Sequence, residues 1–149
     1  PLRTEADVQA LREGLADGTI DIIATDHAPH PLEAKDCEWS AAAFGMVGLE
    51  TAFSIAYMTM VKSGLITLAT LIDRMATRPA EIGRFAGHGR LSDGAPANFI
   101  LVDLDQEWEV DRAALHSKSR NTPFHAMRLP GQVMKTFHNG ALVFDRGAH

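Results

Sequence analysis

Apolar residues recur at helical spacing near the start of the chain, between Val8 and Leu15. A repeat of three to four residues places such side chains on one face of a helix. Thr4 stands where an N-terminal capping residue is expected, and Gly18 is typical of a C-terminal stop. The pattern therefore predicts a helix over residues 5–16.

The next apolar run changes period and predicts a strand over residues 20–25. Three isoleucines and an alanine surround Asp21, and β-branched residues in a run of this length favour a buried strand. Pro29 then stops regular structure. Residues 26–45 are expected to form a long polar loop, and loops of this length inside compact domains are usually functional or mobile.

A second helical pattern predicts a helix over residues 46–62, with Gly64 at its end. We interpret one stripe of this helix as core packing: Leu49, Phe53, Ala56, Tyr57 and Met60. Thr67 is expected to cap the following helix. The buried face of that helix should carry Leu68, Leu71, Ile72 and Met75. Pro79 suits the first turn of another short helix, which reaches Phe85.

From residue 90 to residue 146, short β-rich runs replace the helical periodicity. The predicted strands are residues 99–102, 108–110, 132–137 and 141–144. His138-Asn139-Gly140 predicts a hairpin turn, because Asn-Gly is the favoured pair for positive φ at both central positions. The chain is thus expected to join an α/β part to a small β layer.

Composition and charge narrow the classes of function. The 149 residues are 46% hydrophobic and 22% charged, with a net charge of −5 and no lysine- or arginine-rich run. This argues against a nucleic-acid partner and for a small-molecule substrate. The single cysteine, Cys37, excludes an internal disulfide and fits a reducing compartment such as the cytoplasm. The longest apolar stretch, residues 41–61, is broken by glycines and by Glu50, so we predict no membrane span.

Titratable side chains crowd the end of the predicted strand 20–25. Asp26, His27 and His30 follow the apolar run closely. Active sites of α/β barrels lie at the carboxyl ends of their strands, so Asp26 is placed to bind a metal ion or to move a proton. In an extended chain His27 points away from Asp26, and we expect no ligand role for it. A Thr-Asp pair after a strand can also simply cap a turn.

The same segment carries a family resemblance. Thr25-Asp26-His27-Ala28-Pro29-His30 and the later Phe44-Gly45-Met46-Val47-Gly48-Leu49-Glu50-Thr51 resemble the C-terminal part of dihydroorotases, which belong to the amidohydrolase superfamily. Weaker matches, shared with hydantoinases and allantoinases, are Arg78-Pro79-Ala80, Gly89-Arg90-Leu91 with Gly94, and Asn121-Thr122-Pro123-Phe124. The resemblance covers essentially the whole chain.

The resemblance implies a fold class and a reaction. The fold would be α/β: the C-terminal portion of a metal-dependent TIM-type (β/α)8 barrel with part of a small flanking β-sandwich. Residues 1–88 would supply the last barrel strand, the active-site loop and helices, and residues 89–149 would belong to the β-sandwich. The reaction would be the reversible, zinc-dependent cyclisation of N-carbamoyl-L-aspartate to L-dihydroorotate in de novo pyrimidine biosynthesis.

The resemblance also assigns roles to residues. Asp26 would be the catalytic residue, acting as ligand of one Zn²⁺ in a binuclear site and as general base and acid. His30 would hydrogen-bond the substrate, and Phe44 and Gly45 would contact it through their backbone. The structural alternatives are a loop histidine at position 30 and an ordinary turn at positions 44 and 45.

Other titratable residues receive no functional role. Glu33 and Lys35 are interpreted as solvated loop charges. The remaining histidines form no metal-ligand pair at the usual spacings and are interpreted as structural or surface residues: His88, His116, His125, His138 and His149.

The resemblance places the other metal ligands, and the substrate-binding arginine and asparagine, upstream of Pro1. We therefore expect a fragment that is inactive alone and needs the N-terminal half of the same enzyme. Pro1-Leu2-Arg3 resembles the loop before the last barrel helix. Further expected partners are the small-molecule substrate, a homo-oligomer and aspartate transcarbamoylase, without nucleic acid or membrane. Two alternatives stay open: an allantoinase- or dihydropyrimidinase-type enzyme, and a non-catalytic dihydroorotase-like partner of aspartate transcarbamoylase.

Overall fold

The computed structural model describes residues 4–148. The expectations stated for Pro1-Leu2-Arg3 and for His149 lie outside the described residues. Helices occupy the first part of the described chain, and a three-stranded antiparallel sheet occupies the last part. No helix between residues 4 and 148 is long and apolar enough to cross a membrane.

Helix α1 spans Glu5–Asp17 and confirms the first predicted helix. The Asp7 amide donates to Thr4 Oγ1 at 3.3 Å, and the Thr4 amide donates to Asp7 Oδ2 at 2.8 Å. These two bonds form a capping box, which satisfies amides that a helix start otherwise leaves unpaired. Gly18 ends the helix with a φ of 92°, a conformation that favours glycine.

Residues 20–25 form no strand within residues 4–148, so this prediction is wrong for the described chain. Single backbone bonds reach the segment: the Ile20 amide donates to the Gly14 carbonyl at 2.8 Å, and the Ile23 amide donates to the Arg74 carbonyl at 3.0 Å. Both isoleucine side chains pack against the core. The segment is only partly buried, so the apolar pattern indicated the contact with the core but not full burial. A strand also needs a neighbour that completes its ladder of hydrogen bonds.

The predicted helix 46–62 is shorter than expected. Helix α2 spans Ala52–Ala56 and continues as a π-helical turn over Tyr57–Val61. Residues 46–51 are not helical, and only the last three form a turn. The amides of Val47, Gly48 and Leu49 bond to distant groups of the chain rather than to a preceding helical turn. Leu49 is consequently 63% exposed and does not belong to the core stripe. Gly64 follows the helix with a φ of 79°, as predicted.

The rest of the predicted stripe is confirmed. Ala56 and Met60 are buried in the main core, and the rings of Phe53 and Tyr57 pack against it. The core is completed by Leu15 from α1 and by two further apolar side chains, Ile66 and Leu71. Burial of these side chains is the main stabilising contribution to this part of the fold.

Helix α3 spans Leu68–Ile72 and continues as a π-helical turn over Asp73–Thr77. Thr67 caps it as predicted, because the Thr70 amide donates to Thr67 Oγ1 at 3.1 Å. Leu71 is fully buried, and Leu68 and Met75 pack against the core. Ile72 is 49% exposed, so its predicted place on the buried face is wrong.

Helix α4 spans Arg78–Ile82 and ends before the predicted Phe85. Arg84 adopts a φ of 56°, which no α-helix accommodates, and the helix cannot continue through it. Pro79 lies in the first turn of α4 as expected.

Strands β1, β2 and β3 form an antiparallel sheet in that order and span Phe99–Glu109, Arg128–His138 and Ala141–Asp145. The two short strands predicted at 99–102 and 108–110 belong to β1. The pairing with β2 is irregular between Asp103 and Glu107, and the apolar pattern of the sequence is interrupted at the same place. Asn139 and Gly140 have φ values of 49° and 79°, so the predicted hairpin turn is confirmed.

The sheet packs on α2 through close backbone approach. Ser54 Oγ donates to the Gly131 carbonyl in β2 at 2.6 Å, and the indole of Trp108 in β1 donates to Ser54 Oγ at 3.2 Å. A Cβ atom at Gly131 would lie 3.1 Å from the Phe53 ring, so a larger residue there would push the sheet from the helix. The boundary predicted between residues 88 and 89 stays a prediction.

Candidate active site

An open cleft of about 1220 Å³ lies between the loop 26–45 and the segment 112–123. The four residues predicted to act on substrate or metal all line it: Asp26, His30, Phe44 and Gly45. Residues that are up to 19 positions apart in the loop therefore face one space, although their individual roles stay predictions.

Asp26 begins the loop with an unusual backbone. Its φ is 43°, which is uncommon for a residue with a Cβ, although aspartate tolerates it better than most residues. Such a conformation costs on the order of 1–3 kcal/mol and persists only where the surroundings enforce it. The bend follows the irregular segment 20–25 and leaves Asp26 exposed at the cleft.

His27 connects the two ends of the loop, which we call its first limb (residues 26–30) and its second limb (residues 44–50). Its Nδ1 atom accepts hydrogen bonds from the amides of Gly48 at 3.0 Å and Leu49 at 3.3 Å. The Ala28 amide donates to the Met46 carbonyl at 2.9 Å beside it. Because Nδ1 accepts, the neutral ring carries its proton on Nε2. The ring thus has a structural role in the loop, and its lack of a ligand role stays a prediction.

His30 is held by its backbone, so that its ring remains available to the cleft. The His30 amide donates to Ser119 Oγ at 3.1 Å and to Asn121 Oδ1 at 3.4 Å. Ser119 Oγ also lies within hydrogen-bonding distance of the His30 carbonyl, at 2.5 Å, and of Asn121 Oδ1. A hydroxyl has one hydrogen, so it donates to one of these oxygens at a time.

Gly45 packs so closely against the first limb of the loop that no side chain would fit there. Its φ is 115°, and a Cβ atom there would lie 2.6 Å from Ala28 Cβ and 3.1 Å from His30 Nε2. Glycine is therefore required by both backbone conformation and packing. The neighbouring Phe44 is 86% exposed, so its ring lies at the cleft rim rather than in a core.

Lys35 is not the solvated charge that we predicted. Its half-buried ammonium donates to the Ala43 carbonyl at 2.6 Å and to the Gly45 carbonyl at 3.0 Å. It thereby closes the loop on itself beside the candidate site. An ammonium with three donors suits two inward-facing carbonyls, and nothing in the local pattern distinguishes it from a surface lysine. Glu33 is exposed, as predicted.

Two residues of the opposite wall were given no role by sequence reasoning. Asn121 Nδ2 donates to the carbonyls of Ala28 at 2.9 Å and Gly45 at 3.2 Å, so one amide group bridges both limbs of the loop. Ser119 is buried and contacts the backbone of His30. The only signal in the sequence was that Asn121 opens one of the weaker family matches.

The charge of the cleft differs from that of the whole chain. Although the net charge is −5, basic side chains predominate among the residues that line the cleft. The basic residues are Lys35, Arg112, Lys118 and Arg120, and the acidic ones are Asp26 and Asp36. The lining therefore carries more positive than negative charge, and an excess of one sign in a cleft attracts ligands of the other sign, which here means anions.

Glu50 fastens the end of the second limb to the opposite wall. Its carboxylate accepts from the amides of His116 at 2.9 Å and Ser117 at 3.2 Å, and it pairs with His116 Nδ1 at 2.9 Å. Partial burial acts to raise the pKa of Glu50, but the hydrogen bonds from His116 and Ser117 outweigh it and bring the pKa below its ordinary value.

The described residues do not by themselves fit a zinc pair. Between residues 4 and 148, no group of three His, Cys, Asp or Glu side chains is arranged to hold a metal ion. Each zinc ion needs about four donors, so Asp26 could supply only one ligand of a larger set.

A model described as the amidohydrolase family matches residues 2–143. The chain is 60% identical over 148 residues to a dihydroorotase of Streptomyces coelicolor, with 99% of this chain and 35% of that protein covered. It is 53% identical over 147 residues to a dihydroorotase of Leifsonia xyli subsp. xyli, with 97% of this chain and 34% of that protein covered. The chain therefore spans about a third of the length of these curated relatives.

Solved structures give the same class of fold. The L-hydantoinase (dihydropyrimidinase) from Arthrobacter aurescens superposes with a TM-score of 0.91 at 31% identity, covering 99% of this chain and 34% of that one. A D-hydantoinase (dihydropyrimidinase) from Thermus sp. gives a TM-score of 0.89 at 23% identity, covering 99% and 33%. The predicted fold class, an α/β portion of an amidohydrolase domain with a β layer, is confirmed.

Proposed function

The chain belongs to the amidohydrolase family, and from this membership we propose that it is the C-terminal part of a dihydroorotase. The observation that carries the proposal is 60% identity to a dihydroorotase across nearly the whole chain. The cleft adds independent support, because it gathers Asp26, His30 and Gly45 in one place. The complete protein would interconvert N-carbamoyl-L-aspartate and L-dihydroorotate in de novo pyrimidine biosynthesis.

The charge of the cleft suits this substrate class. N-carbamoyl-aspartate carries two carboxylates, and dihydroorotate carries one. Basic side chains on the cleft wall, including Arg112, Lys118 and Arg120, would attract such anions from solution. The proposed direct contacts are the His30 ring and the backbone of Phe44 and Gly45.

Asp26 is the proposed proton carrier. In the hydrolytic direction, water adds to the ring amide carbonyl of dihydroorotate and the bond from that carbon to nitrogen breaks. One proton must then travel from the water to the departing nitrogen, and an exposed carboxylate beside both can accept it and release it. Cyclisation runs the same steps in reverse and expels water.

Members of the family are generally metal-dependent, and we propose a binuclear Zn²⁺ site in the complete protein. Bound zinc would lower the pKa of the reacting water and polarise the carbonyl. Asp26 would be one ligand, and the other donors would come from the remaining two thirds of the protein. The missing N-terminal part is therefore a proposed obligate partner of this chain.

The other proposals are weaker in support. A dihydropyrimidinase-type activity is the second candidate, favoured by the structural likeness to the Arthrobacter aurescens L-hydantoinase, but the sequence identity to the dihydroorotases is about twice as high.

A cytoplasmic location is proposed from the single cysteine and the acidic composition. Homo-oligomerisation and association with aspartate transcarbamoylase are proposed from the family resemblance, which also covers a non-catalytic partner.

The test compares two aspartate variants in the complete protein. Dihydroorotate and dihydropyrimidine hydrolysis are both assayed, and the proposal requires the first to predominate. Asp26→Ala should lower kcat by several powers of ten, since both a base and a metal ligand are lost. Asp21→Ala removes an exposed carboxylate from the preceding segment and should leave kcat unchanged. An Asp26→Ala enzyme with more than a tenth of the wild-type rate contradicts the assignment.

A further inference from the structure

The active-site loop is held from outside by two side chains of the opposite wall, which we call the Ser119–Asn121 clamp. Ser119 Oγ accepts a hydrogen bond from the His30 amide at 3.1 Å and lies 2.5 Å from the His30 carbonyl oxygen, to which it can donate. Asn121 Nδ2 donates hydrogen bonds to the carbonyl oxygens of Ala28 at 2.9 Å and Gly45 at 3.2 Å. The Val47 amide donates to the Asn121 backbone carbonyl at 3.2 Å.

These contacts fall on the residues that carry the proposed substrate contacts. Ala28 and His30 belong to the first limb of the loop, and Gly45 and Val47 to the second. The two limbs also touch directly, since Gly45 leaves no room for a Cβ atom beside Ala28 and the His30 ring. The Asn121 amide group bonds to both limbs and adds to the contacts that His27 and the Ala28–Met46 backbone bond make between them.

We propose that the Ser119–Asn121 clamp positions His30 and Gly45 for the substrate. Asn121 and Ser119 are positioning residues, which act through the loop rather than on reacting atoms. This inference rests on the proposed function of His30. Small displacements of groups that contact a substrate reduce rates steeply, so loss of the clamp should lower kcat/KM by on the order of 10- to 100-fold.

The test is a double-mutant cycle in the complete protein. Asn121→Ala removes the bridging amide, and the cycle pairs it with His30→Ala. A clamp that acts through His30 predicts a large loss of kcat/KM for Asn121→Ala in the wild type and little further loss in the His30→Ala background. Bound metal, measured by elemental analysis, should stay at the wild-type level in every variant.

Two comparisons separate positioning from general stability. Asn98→Ala makes the same chemical change at a half-buried asparagine outside the cleft, where Asn98 Oδ1 accepts from the Asn139 amide at 2.7 Å. It should change thermal stability but not KM. Ser119→Ala should raise KM, and Ser119→Thr, which keeps the hydroxyl, should restore it.

The inference is overturned if Asn121→Ala keeps kcat/KM within threefold of wild type, or if its effect is undiminished in the His30→Ala background. A wild-type complete protein without dihydroorotase activity would instead refute the proposed function. The clamp is then judged by amide hydrogen exchange, which Asn121→Ala must accelerate at His30 and Val47 relative to Asn98→Ala. Unchanged exchange at both amides overturns the clamp itself.

Discussion

Replacing Gly45 by alanine tests the geometry of the loop most directly. The φ of 115° at this position is one that L-residues rarely adopt, and forcing it costs on the order of 1–3 kcal/mol. The new methyl group would also lie 2.6 Å from Ala28 Cβ, and overpacking of this kind costs a further ~1–3 kcal/mol. We therefore expect a total destabilisation of about 2–6 kcal/mol.

Gly64→Ala is the matched control. Gly64 has a φ of 79°, but a Cβ atom there would meet nothing within 4 Å. It carries a backbone penalty of about 1–2 kcal/mol without a collision. Both substitutions also restrict the unfolded chain equally, so the difference between the two variants reports the contact of Gly45 with Ala28 and His30 together with the difference in backbone penalty between the two φ values.

The measurements are urea unfolding and the KM for dihydroorotate, both in the complete protein. Gly45→Ala should unfold at a lower urea concentration than Gly64→Ala and should raise KM, because Ala28 and the His30 ring must move to admit the methyl group. Gly64→Ala should leave KM unchanged. Equal unfolding midpoints together with an unaltered KM for Gly45→Ala would refute the reasoning.

Three further predictions concern the loop and the isolated chain. His30→Ala in the complete protein should weaken dihydroorotate binding while the zinc content stays normal; loss of one zinc per site would identify His30 as a ligand instead. Because the pKa of Glu50 is lowered below 4.5, its contribution to stability is present above that pH and is lost as the pH falls through the lowered value. Glu50→Gln should remove this part of the pH dependence of thermal unfolding, which amounts to at most about 1 kcal/mol because His116 is exposed. An unfolding temperature that changes with pH in the same way in the wild type and in Glu50→Gln would contradict this prediction. The 149-residue chain alone should bind zinc weakly or not at all and show no turnover, whereas mixing with a separately made N-terminal part should restore it; turnover by the pure chain would contradict the fragment hypothesis.

Local signals in the sequence predicted the local structure well. The capping residues Thr4 and Thr67, the stop at Gly18 and the Asn139-Gly140 turn act within a few residues, so their chemistry is legible without the fold. Helix ends were less predictable. Residues 46–51 are helical in pattern, but the amides of residues 47–49 bond to partners far along the chain.

The residues of the candidate site also differ in how far the sequence could predict them. Asp26, His30 and Gly45 could be proposed because they follow one apolar run or belong to one matched segment, and the structure brings them to one cleft, although their roles stay predictions. Lys35 and Asn121 were misjudged or missed, because a lysine or an asparagine gains its role only from the carbonyls that it reaches. Those carbonyls belong to residues up to 93 positions away, and no periodicity in the sequence reports such a distance.

The long reach of Asn121 and Ser119 sets an order of events during synthesis. Because the ribosome releases the chain from its N-terminus, Asp26 and His30 emerge about 90 residues before the side chains that hold their loop. The contacts of His27 and Lys35 within the loop can form earlier, but the bonds from Ser119 and Asn121 require the closure of this long segment, which carries an entropic cost. The loop therefore acquires its final shape late, and a nascent chain that stops before residue 119 has the candidate acid–base residue but not its geometry.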